Sequence, residues 1–427
     1  MPMNGFFLEE RPSLGLAGFR VAAAATVGLH VIPTFFQMRD NYLAGSFREY
    51  NPSFFPTWAL EWADRSPDWL VWAMAGVFLV SWAAFLAGLF TRPAGVLLDL
   101  SCYYFYARNS LHIGTLSYDI LLVTMFLLVI TPYPGDCFSL DCLIRGEPEP
   151  WRRKRPFFIQ RLLQIQLAST YFFTGLAKIT AGGNWLVDNP YWYLMNGPAL
   201  GIIKEFPGRG FLAAHPRLCW LIGAGVIICE LNMAWLLFWR RTRPFAIALG
   251  FLFHVLLLAT MHVPTIFFFL FPPMLLLFVE PETLLGWVEA GRRRRARLGR
   301  DRLVFDGACG FCRASLARIL ALDLSGRIEP VDFRSQDVSS LHPSLTPEAC
   351  HARIQLLEAG GRLSSGFSVM RRLSLRLPLA WPLAPLLNLP GLRRVGDPVY
   401  DWVARHRFNL LHRFRACRDN ACLGRSA

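Results

Sequence analysis

The chain has 427 residues, 54% of them hydrophobic and 14% aromatic, with 35 Phe and 14 Trp. Charged residues are only 17%, against ~25% in ordinary soluble domains, and the apolar residues fall in long blocks, which excludes a wholly soluble globular protein. The formal net charge of +14 reads as the lysine and arginine excess of membrane-protein loops, so no nucleic-acid partner is expected.

Residues 1–13 read as a short cytoplasmic tail. Apolar blocks follow at 14–36, 69–90, 93–106, 116–133, 157–180, 218–239, 245–262 and 265–279. The first is long enough to cross a ~30 Å hydrocarbon core at ~1.5 Å per residue. It has no small-residue cleavage site, so it is expected to be retained. The loop 37–67, with Trp58 and Trp62, reads as an interfacial belt. The last block holds Pro272-Pro273 and should be kinked or shielded from lipid by its neighbours. With eight spans, Arg92 and the basic runs at 152–155, 240–243 and 292–295 all fall on one side. This predicts both termini cytoplasmic, in a bacterial inner or plasma membrane. Residues 14–279 are then the membrane domain. Residues 280–300 are a basic juxtamembrane linker that lies near anionic lipid.

From Asp301 to the end the composition is that of a soluble domain. A buried strand at 303–305 leads into a turn at Asp306-Gly307 and a helix that opens at Cys309 and runs to 322. A second strand is expected at 328–333. Segments 353–357 and 362–364, joined around Gly360-Gly361, read as a hairpin. A helix starts at 368–375, a Pro- and Leu-rich stretch covers 377–390, and a basic helix covers 399–408. Strand, CxxC helix, strand, hairpin and helix is a thioredoxin-like order. The expected fold is a membrane α-helical bundle of about eight transmembrane helices, followed by a small α/β thioredoxin-like domain.

The 10 cysteines are scattered or in CxxC form, which fits a reducing compartment better than a disulfide scaffold. Cys309 and Cys312 are one helical turn apart, and Cys309 sits at the helix N-terminus. There unpaired backbone N–H groups and the helix dipole favour the reactive thiolate. Cys309 is expected to attack a disulfide of a protein or small molecule, and Cys312 to resolve the mixed disulfide. No cofactor beyond the dithiol is needed. Asp306 is close enough to oppose thiolate formation or to shuttle a proton. Two other readings stand beside this one: half of a zinc site completed by Cys417 and Cys422, and an inert pair.

Ionisable residues inside spans point to function, and His30, Asp99, Asp119, Lys178, Glu230 and His254 are the candidates. Lys178 either snorkels from the outer end of the fifth span or acts as a buried general base. Arg108, Asn109, His112 and Asp119 lie at or near the same face and suggest a polar, outward-facing pocket. His254, in an aromatic helix, reads as a packed, hydrogen-bonded residue or as a ligand contact. Cys137 and Cys142 are either reduced thiols or a relay.

The run Phe305-Asp306-Gly307-Ala308-Cys309-Gly310-Phe311-Cys312 resembles the DCC family of thiol-disulfide oxidoreductases. Asp323, Gly360-Gly361-Arg362, Gly366-Phe367 and the closing Tyr400-Asp401-Trp402-Val403-Ala404-Arg405-His406-Arg407 extend the resemblance over about 301–413. It implies a thioredoxin-like fold and redox activity. Gln166-Leu167, Tyr171-Phe172-Phe173-Thr174-Gly175-Leu176-Ala177-Lys178 and Trp185 resemble the HTTM domain shared with vitamin K-dependent gamma-carboxylase. Arg108-Asn109, Tyr118-Asp119 and Phe253-His254 fit the same pattern, over about 14–279. This second resemblance implies that Lys178, in the matching Gly-x-x-Lys segment, is a base that deprotonates a hydroquinone. It also implies a quinone or a secreted peptide as the membrane domain's ligand, with Arg108, Asn109, Asp119 and His254 as binding residues. The expected function is an integral membrane thiol-disulfide oxidoreductase using the DGxCxxC motif. The alternatives are a carboxylase-like membrane enzyme centred on Lys178, and a non-enzymatic membrane scaffold or maturation factor.

Overall fold

In lipid a chain must satisfy its backbone N–H and C=O groups internally, so the apolar blocks become helices. The computed structural model describes residues 3–46, 56–109, 116–180, 184–197, 203–262 and 265–410. His112, Cys417 and Cys422 lie outside these residues. Two compact units emerge: 1–139 with 154–281, and 140–153 with 282–427.

The first unit contains α1 (Leu14–Phe35), α2 (Asp68–Ala87), α3 (Thr91–Arg108), α4 (Leu116–Val129), α5 (Phe158–Thr180), α6 (Pro216–Phe238) and α7 (Arg243–Thr260). Four of them, α1, α2, α6 and α7, are individually long and apolar enough to cross a membrane. Of the other expected spans, α4 has 14 residues, and α3 and α5 bury polar side chains such as Asp99, Gln160 and Gln164. The last block is broken into α8 (Thr265–Phe269) and α9 (Phe271–Leu276), because Pro272 and Pro273 fit the first turn of a helix and not its interior.

The segment expected as a tail is ordered. Helix Met3–Phe7 precedes β1 (Glu10–Pro12), which pairs antiparallel with β2 (Lys154–Pro156). Arg11 and Arg243 both bind Glu280, which ties this strand to the start of α7 and the residues after α9. Arg20, fully buried in α1, donates to the carbonyls of Phe85 and Leu86 at the end of α2 and to those of Pro134 and Phe138. The Phe85 and Leu86 carbonyls belong to the last turn of α2, where acceptors lack a donor further along the helix. Small residues set close approaches: a Cβ at Gly175 on α5 would lie 3.0 Å from the Glu230 Cβ on α6.

The second unit carries α10 (Pro281–Arg297, within the unit from Glu282), β3 (Asp301–Phe305), α11 (Gly310–Leu322), β4 (Ile328–Asp332), α12 (Pro347–Ala352), β5 (Gln355–Leu357), β6 (Leu363–Ser365), α13 (Phe367–Arg376) and α14 (Leu392–Leu410). The sheet order is β4-β3-β5-β6. β3 and β4 are parallel, while β5 is antiparallel to both β3 and β6. Alternation along the strands separates two cores. Leu303, Ile328 and Leu356 pack with Leu316, Ile319, Val369 and Leu373 on one side. Val304, Val331 and Leu357 pack with Val338, Leu345 and Cys350 on the other.

Three segments differ from expectation. The 280–300 segment is largely the helix α10. The last helix begins at Leu392, well before 399, and accommodates Pro398. Residues 140–153, expected as part of a membrane-domain loop, belong to the second unit, where the short helix Leu140–Arg145 packs on α11. Trp151 is buried under the Arg292 guanidinium, 5.2 Å from its ring centroid. Arg292 also donates to Glu149 and to the Asp323 carbonyl, each at 2.7 Å.

Candidate functional site

Strand β3 ends at Phe305, and the chain must then turn sharply to start α11. Asp306 accepts from the Ala308 N–H at 3.1 Å, and Gly307 donates to Asp332 at 3.0 Å. A Cβ on Gly307 would overlap the Asp332 carboxylate, so this position tolerates only glycine without rearrangement. The turn delivers Cys309 as the N-cap of α11, where its sulfur accepts the Cys312 N–H at 3.5 Å. Cys309 is 1% exposed.

The Cys312 thiol donates to the Cys309 sulfur, which pushes the Cys309 thiol down to about 6 against the opposing effect of burial; the Cys312 N–H and Arg407 push the same way. The same hydrogen bond, together with burial, pushes Cys312 well up. The two sulfurs are therefore unequal: the buried Cys309 sulfur is favoured as the thiolate, and Cys312 as the proton-bearing donor.

Asp306 is 2% exposed. Arg334 grips its two oxygens from the loop after β4, at 2.5 and 3.0 Å. Burial alone would raise this carboxyl, but the Arg334 fork overrides it and holds Asp306 below the usual carboxylate range. Beside the cysteines is a cavity of about 60 Å³ lined by Asp306, Cys312, Cys350, Ile354, Tyr400 and Arg407, among others. Tyr400 accepts the Ile354 N–H at 3.0 Å, and Arg407 donates to the His351 carbonyl at 2.8 Å. Asp323, the C-cap of α11, is structural: it accepts from Ser325, Arg327 and Ile328 and closes the loop into β4.

In the membrane unit, Lys178 forms an ion pair with Glu230, at 2.6 Å to one oxygen and 2.8 Å to the other. Its ammonium also lies 5.4 Å from the Trp185 ring centroid. Two helical turns earlier on α5, the Tyr171 hydroxyl meets His254 Nε2 of α7 at 2.8 Å. The His254 ring stacks on Phe271, with centroids 5.2 Å apart. Tyr171, Gly175 and Lys178 thus share one face of α5.

The other expected ligand residues diverge. Arg108 donates to the carbonyls of Tyr42, Ala63, Asp64 and Ser66, and Asn109 to that of Asn41. Asp119 hydrogen-bonds Tyr106. Two grooves on this unit are apolar. One, of about 320 Å³, lies between α5 and α6 against Phe172, Phe173 and Trp235; another, of about 560 Å³, lies between α2 and α3. Neither lining includes an ionisable side chain. Among the described residues, no group of three or more His, Cys, Asp or Glu side chains is arranged to hold a metal ion.

Sequence reasoning missed Arg334 and the roles of Arg20, Tyr400 and Arg407. Arg334 becomes legible only through register. Phe305 pairs with Asp332, so the residues just after β4 fall beside those just after β3. Arg407 was visible as the end of the Tyr400–Arg407 run, but not as a neighbour of the cysteines.

Residues 12–282 match the family model described as HTTM domain. Residues 303–413 match the model described as DCC1-like thiol-disulfide oxidoreductase. No curated protein and no solved structure matches the chain.

Proposed function

We propose, from the premise that this chain belongs to the HTTM-domain family and carries a DCC1-like domain behind it, that it is a membrane-bound thiol-disulfide oxidoreductase whose reacting atoms are the sulfurs of Cys309 and Cys312. The observation that carries the reading is the asymmetry of the two thiols: Cys309, N-cap of α11, is depressed to about 6, while Cys312 is raised and donates to it.

The Cys309 thiolate attacks one sulfur of a substrate disulfide. The Cys309–S bond forms, the substrate S–S bond breaks, and a substrate thiolate leaves. Cys312 gives up its proton and attacks the Cys309 sulfur, which releases the second substrate thiolate. Two electrons pass from the dithiol to the substrate, and Cys309–Cys312 is left as the disulfide. In the reverse direction the same atoms oxidise a dithiol. Asp306, ionised and held by Arg334, is a positioning residue that fixes the turn ahead of Cys309. Arg407 adds positive charge beside the thiolate.

Sheet order supports a thioredoxin-like reading of the second unit: a parallel β3–β4 pair around α11, followed by the antiparallel β5–β6 hairpin. Connectivity supports an even number of crossings with both ends on one face, as the expected eight would give. Residues 140–153 and 282–410 share one unit and so leave the membrane on one face, which requires an even number of crossings by 154–281. β1 pairs with β2, which requires the same of 14–153. The basic runs then lie on the cytoplasmic side.

The test uses the full chain in detergent with glutathione disulfide as substrate. Cys312→Ser should accumulate a mixed disulfide with glutathione on Cys309. Cys309→Ser should accumulate none. Equal adducts on both variants, or none on either, would overturn the reading.

A further inference from the structure

The redox chemistry leaves unexplained an apolar stretch of the second unit. From Leu377 to Leu392 no residue is charged, and from Ala359 to Gly396 there is no Asp or Glu. This stretch folds as a 3₁₀ segment, Pro378–Leu383, and a short helix, Ala384–Leu387. It packs on α13 through small residues, with Ala380 and Ala384 buried, and turns its large side chains outward. Trp381, Leu383 and Leu386 are each at least half exposed. On α14 the exposed stripe continues at a helical spacing through Val395, Val399 and Trp402, while Gly396, Tyr400 and Arg407 face inward. Large exposed apolar surface of this kind marks an interaction site.

The charges select the partner. Arg372 and Arg376 are engaged by Glu358, and Arg376 also by Asp301. Arg393 shares Asp397, and Arg394 is exposed beside it in an open basin with Gly391. Leucine and tryptophan bordered by arginine, with the two α14 carboxylates Asp397 and Asp401 paired to Arg393 and Arg353, is the composition of segments that lie in a bilayer interface, where the ring and aliphatic carbons sink below the headgroups and guanidinium groups meet phosphate. The chain also enters this unit from the membrane unit at 139/140 and 281/282 and leaves it at 153/154, so covalent bonds hold it close to a lipid surface.

We propose that the Pro378–Leu387 segment, with the adjoining Val395–Trp402 face of α14 and Arg393 and Arg394, docks the redox domain on the surface of an anionic phospholipid bilayer. The domain is then a monotopic element as well as a tethered one, and its substrate pool is restricted to disulfides and thiols that reach the membrane surface.

The experiment places the full chain, one copy per nanodisc, in phosphatidylcholine or in phosphatidylcholine with phosphatidylglycerol. Each disc carries a trace of phosphatidylglycerol with a photoactivatable group near the glycerol end of its acyl chain. After irradiation, lipid adducts are mapped by mass spectrometry. Adducts on 377–402 should rise at least ~3-fold with the anionic lipid, relative to those on α6. Trp381→Ser/Leu386→Ser and Arg393→Gln/Arg394→Gln should each remove most of that rise, while Cys309 keeps its alkylation rate as proof of a folded domain. Labelling of 377–402 no higher than that of the exposed residues 334–337 in both lipids would overturn the proposal. So would protection of 377–402 from hydroxyl-radical footprinting only in discs that hold two copies, which would assign the face to self-association.

Discussion

Arg334 closes on Asp306 from the loop that follows the neighbouring parallel strand, with both carboxylate oxygens engaged, at 2.5 and 3.0 Å. The pair bridges the two loops that follow β3 and β4 and so fixes the turn from which Cys309 projects.

Arg334→Gln should therefore loosen that turn. Asp306 stays buried but loses its charged partner, a loss of about 1–3 kcal/mol for a buried acceptor. The pH dependence has a definite sign. The carboxyl is depressed in the folded state, so its contribution is present above the unfolded value near ~3.9 and is lost as pH falls through the lower folded value. In the variant the acid-side loss should begin at higher pH. Urea unfolding at stepped pH, read by maleimide labelling of buried Cys350, measures both effects. Superimposable wild-type and variant curves would assign the fork no role in stability.

The rate of Cys309 alkylation by iodoacetamide should follow a single titration with a midpoint of about 6. In Cys312→Ala the midpoint should move upward, because the thiol that donates to the Cys309 sulfur is gone while the residue 312 N–H remains. A wild-type midpoint near the ordinary thiol value would contradict the asymmetry on which the mechanism depends.

Arg407 is a positioning residue by the same logic. Arg407→Met should raise the Cys309 midpoint and slow attack at pH 7, and Arg407→Lys should restore part of both. A purely structural role for Arg407 through the His351 carbonyl would change thermal stability and leave the titration midpoint where it was.

In the membrane unit, Glu230→Leu leaves the Lys178 ammonium inside the bundle without its carboxylate. Breaking one side of such a pair costs about 3–5 kcal/mol, whereas replacing both partners by apolar residues is often near neutral. Lys178→Met/Glu230→Leu should therefore recover most of the thermal stability in detergent that Glu230→Leu loses. Equal loss in the single and double variants would point to a role for the lysine beyond pairing.

The thiol site was legible because its signals are local. Asp306-Gly307 specifies a turn, CxxC fixes one helical turn, and strand alternation gave β3, β4 and the β5–β6 hairpin to within a few residues. What surrounds the thiols was not legible, since Arg334, Tyr400 and Arg407 arrive through strand register and helix docking across long sequence separations. In the membrane unit, hydrophobicity located the helices but could not pair their polar residues. Lys178 reads alone as a base, and only helix packing reveals Glu230 beside it. Arg108 shows the same difficulty: a buried arginine looks like a ligand clamp until the carbonyls it collects are known.

The second unit is assembled from two stretches of chain, 140–153 and 282 onward, with the helices α5 to α9 lying between them in sequence. Trp151 waits for Arg292, and the helix Leu140–Arg145 waits for α11. During synthesis, the early piece leaves the ribosome long before its complement exists. Completion of the second unit is thus a late event in the making of the chain: its first piece stays without its packing partners until the residues after α9 have been made.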